Sequence, residues 1–137
     1  MSDSSQLALR KALFTRLSGD ATLSGLIGSG RIFDVPPRGQ AFPYLVLEAL
    51  GSRPLLSEPN EGRVHGLRLA VLSRKPSRDE ALSVIERISL LVMETPLTLS
   101  GHHLVGLQIS DMASRLLRDG RTFRAEINLR CVTEPTA

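Results

Sequence analysis

The sequence predicts an α+β domain: a mainly antiparallel sheet of about four strands with helices packed on one face. Three observations predict it. Residues 122–131 alternate without a break, with Phe123, Ala125, Ile127, Leu129 and Cys131 on one side and Thr122, Arg124, Glu126, Asn128 and Arg130 on the other. Such alternation marks a strand with one core face and one wet face. Two other stretches, 5–17 and 78–94, carry apolar residues at helical spacing instead. Their order along the chain is helix, short helix, strand, strand, helix, strand, strand, a sequence that layers helices against a sheet rather than alternating βαβ units.

Taken from the N-terminus, Ser4 or Ser5 can cap a first helix whose Leu9, Leu13 and Leu17 share a face, with Leu7 and Phe14 beside them; Gly19 ends it. Asp20 caps a short second helix, 21–27, closed by Gly28 and Gly30. Arg31-Ile32-Phe33 reads as a short strand or extended segment. Residues 34–43 form a stiff exposed elbow, because Pro36, Pro37 and Pro43 fix φ and lack donors, and Arg38 and Gly39 lie between them. Residues 44–50 then read as a mostly buried strand and 51–62, with Pro54, Pro59, Asn60 and Gly62, as a long loop. In 64–73, Leu67, Leu69 and Val71 oppose Gly66, Arg68 and Ala70. Ser77 and Glu80 have the spacing of a capping box for a helix to Glu94, with a stripe of Ala81, Leu82, Ile85, Ile88, Leu91 and Val92. Leu90 and Met93 fall on its polar side. Residues 97–99 and 104–111 read as a hairpin around Ser100-Gly101-His102, with Val105, Leu107 and Ile109 on one face, and 115–120 as a turn.

At 137 residues the chain makes one domain, 1–137, with a core of Leu, Val and Ile, since it has no Trp and few other aromatics. The net charge of +3 comes from scattered arginines with only Lys11 and Lys75 beside them, which does not form a phosphate track. A lone Cys131 excludes an internal disulfide. No leader pattern or membrane-length apolar run is visible. His102 and His103 are adjacent and point apart, and His65 stands alone, so metal-ligand spacing is missing. Cys131 lies on the apolar face of its strand, where a thiol packs as a small hydrophobe. Gly28-Ser29-Gly30 has no Lys-Ser/Thr after it and no Gly-x-Ser-x-Gly occurs. No catalytic, metal or cofactor site is expected, and no small-molecule substrate.

An ordered set of short stretches carries a resemblance. Phe33-Asp34-x-x-Pro37, then Phe42-Pro43-Tyr44 opening an apolar strand, then residues 96–105 (PLTLSGHHLV), then Asp119-Gly120-Arg121-Thr122-Phe123 before the alternating strand resemble the tail terminator (tail completion) proteins of long-tailed phages and gene transfer agents. The resemblance implies a hexameric ring in the virion tail, at its neck end, assembled in the bacterial cytoplasm. It implies self, the tail tube protein and the head–tail connector as partners, with DNA only as cargo. A small adaptor module unrelated to a virion is the alternative. From exposure pattern, Arg38, Arg53, Leu55, Leu56, Glu58, Arg63, Leu90, Arg124, Glu126 and Arg130 are the expected interface residues. The 51–62 loop, with its leucine pair and charges of both signs, is expected to order on contact with a neighbouring subunit or the tube.

Overall fold

The computed structural model describes residues 4–55 and 62–136. Three helices, α1 (Ser5–Ser18), α2 (Ala21–Ile27) and α3 (Asp79–Glu94), cover one face of a sheet made of β1 (Ile32–Phe33), β2 (Tyr44–Pro54), β3 (Arg63–Ser73), β4 (His102–Leu116) and β5 (Phe123–Pro135). Among the described residues the sheet has five strands, in the order β1-β2-β3-β5-β4. The fifth is the short segment before the elbow: β1 pairs parallel with Leu45 and Val46 of β2, while every other pairing is antiparallel.

The N-terminal caps of α1 and α2 form as their residues dictate. Ser4 accepts from Leu7 N–H at the start of α1, and Asp20 accepts from Leu23 N–H at the start of α2. Asp20 also receives both arms of Arg87 (2.9 and 2.7 Å), so one carboxylate caps α2 and ties it to α3. The Arg87 guanidinium holds that carboxyl below its ordinary range. Gly28 sits at φ 91°, and a side chain there would meet Arg31 at 2.9 Å. The expected capping box at α3 does not form. Ser73 is fully buried and its hydroxyl needs an acceptor; Glu80 turns back to supply it (2.7 Å), and Ser77 instead accepts from Asp79 N–H.

The core lies between the helices and the inner sheet face. Leu9, Leu13 and Leu17 of α1 and Leu23 and Ile27 of α2 meet Leu67, Leu69 and Val71 of β3 and Ala125, Ile127, Leu129 and Cys131 of β5. On α3 the buried stripe is Ala81, Val84, Ile85, Ile88 and Val92. Leu82, expected in it, is 45% exposed, because it lies about 100° round the helix from the centre of the stripe formed by Ala81, Ile88 and Val92, whereas Val84 lies within about 60° of it.

Three strand expectations change. β2 is not mostly buried: only Leu45 and Val46 are. It also runs on through Gly51, Ser52, Arg53 and Pro54, paired with Gly66, His65, Val64 and Arg63, where a loop was expected. Pro54 is tolerated because its nitrogen side faces the open edge of the sheet. β4 is longer than expected, reaching Leu116, and breaks register between Leu104 and Gly106 and again between Ile109 and Asp111. The first bulge turns Val105 outward (54% exposed) and leaves Leu104, Leu107 and Ile109 against the core. Residues 97–99 are not a strand; Leu97 and Leu99 are buried anchors, and only Leu99 bridges to His102.

Candidate protein-interaction surface

The outer sheet face is built from the alternate residues of the same strands. Arg124 of β5 makes a two-armed ion pair with Glu48 of β2, one arm at 2.6 Å, and lies 3.7 Å from Glu126. Arg68 of β3 adds contacts to Glu126 (3.1 Å) and Asn128 (3.0 Å). The hydrogen bonds from Arg124 hold Glu48 below its ordinary range, and Glu48 in turn raises Arg124. Ala70, which pairs with Val46 and Glu126, is fully buried on this nominally wet face.

The expected interface residues therefore separate. Arg124 and Glu126 are already engaged within the chain. Arg53 and Arg130 are exposed on the outer face, and Arg63 is half-buried at the end of β3. Leu55 is 39% exposed where β2 ends. Arg38 is exposed in the elbow, whose Phe42 packs on Tyr44 and beneath the Arg74 guanidinium and is followed by a cis bond to Pro43. Leu90 lies apart on the helical side, at 41% exposure, near Leu26 and Leu82. Leu56 and Glu58, and with them the core of the expected ordering loop, lie outside the described residues.

Thr122, expected to face outward, is buried: its hydroxyl donates to Asp119 and accepts from Arg74. The bonds from Thr122 and from the backbone of Arg121 and Thr122 hold Asp119 at about 2, fixing the turn before β5.

Reading the sequence missed a buried polar chain. His65 is fully buried on the inner face, with Nδ1 2.6 Å from Ser52 Oγ and Nε2 2.8 Å from Thr133 Oγ1, and Gln6 of α1 donates to Ser52. Burial, with Arg63 and His102 nearby, lowers the His65 pKa. The alternation of β3 puts His65 on the same face as Leu67 and Leu69, a signal present in the sequence. Cys131 is fully buried and its thiol is pushed up to about 12, so it packs rather than reacts. Among the described residues no cluster of His, Cys, Asp and Glu could hold a metal, and no helix is long and apolar enough to cross a membrane.

Residues 11–134 match a protein family described as tail completion protein gp17. Among solved structures, a chain of the virion of a native gene transfer agent particle is 25% identical, with a TM-score of 0.84 over 96% of this chain and 99% of that one. The bacteriophage SPP1 gp17 protein is 21% identical, with a TM-score of 0.69 over 94% of this chain and 91% of that one, a likeness of fold. No curated protein matches in sequence.

Proposed function

The chain belongs to the tail completion protein gp17 family, structural parts of a virion or gene-transfer-agent tail rather than enzymes, and from that premise we propose that it forms a hexameric ring closing the head-proximal end of the tail tube. The ring ends tube growth and offers its upper surface to the head–tail connector, with DNA passing through it only as cargo. The end-to-end correspondence with a chain of a gene transfer agent virion carries this reading.

The surface suits such a role. Its charges are mixed in sign and arranged along strands, as expected of protein contacts rather than a phosphate track. A cyclic ring needs two different patches on each protomer, and the exposed candidates lie on different elements, Arg53 and Arg130 on the sheet with Leu55 after β2, and Leu90 on α3. The test is to add the purified chain to polymerising tail tube protein and image the products. Short tubes each closed by a ring at one end are expected; tubes of unchanged length beside a monomeric chain would overturn the proposal.

A further inference from the structure

The sheet, among the described residues, has two open edges. Among the described residues no strand pairs with the far side of β4, and β1 covers β2 only at Leu45 and Val46. Three successive antiparallel pairings, β2 with β3, β3 with β5 and β5 with β4, make β2 and β4 run in opposite directions. Long open edges invite another strand, and edges that must stay alone are usually blunted. Here the blunting stops short. The bulges of β4 lie before Asp111 and the bulge of β2 lies at Glu48, so 111–116 and 49–54 are regular.

From these edges we infer that the ring is closed by strand pairing: β4 of one copy adds antiparallel to β2 of the next, with Asp111 opposite Arg53. This rests on the ring reading above. Rotation about an axis along the strands preserves their direction, so the β4 edge of one copy meets the neighbour's β2 edge in antiparallel sense.

The backbone supports this register. Leu55 N–H bonds to Gly62 O, so in β2 the alternate residues 53, 51 and 49 direct their backbone groups to β3, and Leu50 and Ser52 direct theirs to the open edge. Leu117 N–H bonds to Thr122 O, so in β4 Met112, Ser114 and Leu116 direct theirs to the open edge. Pairing Asp111 with Arg53 brings Met112 opposite Ser52 and Ser114 opposite Leu50, so the edge-directed groups face each other. A one-residue slip would set them against inward-directed groups.

The side chains choose among the registers that remain. Asp111 lies in register with Asn128, and Arg53 with Val64 and Val132, all on the outer face. Opposite Arg53, Asp111 meets the opposite charge, and Arg115 falls against Ala49 beside the bulged Glu48. A two-residue shift loses the Asp111–Arg53 pair. On the inner face, Met112 (48% exposed) and Leu116 (46%) flank the position opposite Leu50, which packs against the core of its own subunit. An apolar contact there explains two exposed large side chains on an edge strand.

The test uses the full chain. Ala113 and Gly51 face each other in this register, at the Cα separation of about 4.5 Å typical of non-hydrogen-bonded pairs, and Gly51 has open space where a side chain would go. Within one subunit they lie on opposite sides of β3 and β5. Oxidising A113C/G51C should give a disulfide-linked ladder ending at a closed hexamer; A113C/S18C should give none. Separately, Asp111→Arg and Arg53→Asp should each remove the hexamer while keeping the wild-type melting curve. Mixing the two in equal amounts should restore it, because every junction in an alternating ring is then complementary. A hexamer by native mass spectrometry with no ladder, or single charge variants that assemble normally, would overturn the strand pairing and leave the ring intact. A chain that stays monomeric at millimolar concentration would overturn both.

Discussion

The two faces of the sheet are finished by different physics. On the inner face Ile127, Leu69 and Val71 are removed from water by three helices of the same chain. On the outer face Arg124, Glu48, Arg68 and Glu126 hold one another through charge, with side chains 14–47% exposed. Burial of apolar area scales with what is covered and needs no partner. Exposed ion pairs contribute little and leave their backbone accessible. The isolated subunit thus finishes its inner face except at Met112 and Leu116 of β4, while its other face and its two edges retain surface for neighbours.

The largest expected effect breaks the inner face. Ile127→Ala should cost about 2–5 kcal/mol in denaturant melts, because the fully buried site cannot collapse onto the removed methyls. Cys131→Ser puts a hydroxyl into the same apolar layer and should cost about 1–3 kcal/mol without affecting assembly. The native thiol should resist alkylation until the chain unfolds.

Acid should find His65, which lies in that inner layer. His65 has a lowered folded pKa, so protons favour the unfolded chain. The stability from neutral His65 is complete above the ordinary histidine pKa of about 6.5 and is lost as pH falls from there through the folded value, with a slope of at most about 1.4 kcal/mol per pH unit. His65→Gln should flatten the melting temperature between pH 7.5 and 5.5, leaving the acid limb of Asp20, Glu48 and Asp119, whose folded values are lowered and whose contributions fail at lower pH. The smallest effect is on the outer face: Arg124→Ala should cost under about 1 kcal/mol, and its cost should shrink in high salt. Equal losses at Ile127 and Arg124 would erase the distinction between the faces.

How much of this could be read beforehand follows the same division. The inner face was legible because its cause is local pattern: alternation in β5, helical spacing in α1, caps at Ser4 and Asp20. The errors lie where tertiary geometry decides. Nothing in residues 51–54 shows that an open edge tolerates Pro54 in a strand. The β4 bulges shift Val105 off its alternation, and a buried Ser73 takes Glu80 from its cap. The surface was least legible. An exposed arginine in the sequence looks the same whether it is tied to Glu48, as Arg124 is, or stands at an edge, as Arg53 does. The charged residue of β4 that matters most for pairing, Asp111, draws attention only once its strand is seen at the edge.

The most direct measurement of the central claim is backbone hydrogen exchange, residue by residue, on the dilute subunit and on the assembled ring. In the subunit the amides of β3 and β5 between Leu69 and Ile127 should be protected, while those of Leu50, Ser52, Met112 and Ser114 exchange freely. Assembly should leave the first group unchanged and slow the second by at least a hundredfold. If slowing appears instead on the exposed side of α3 around Leu90, with the β2 and β4 edges still exchanging freely, the subunits join through their helices and the account of the edges is wrong.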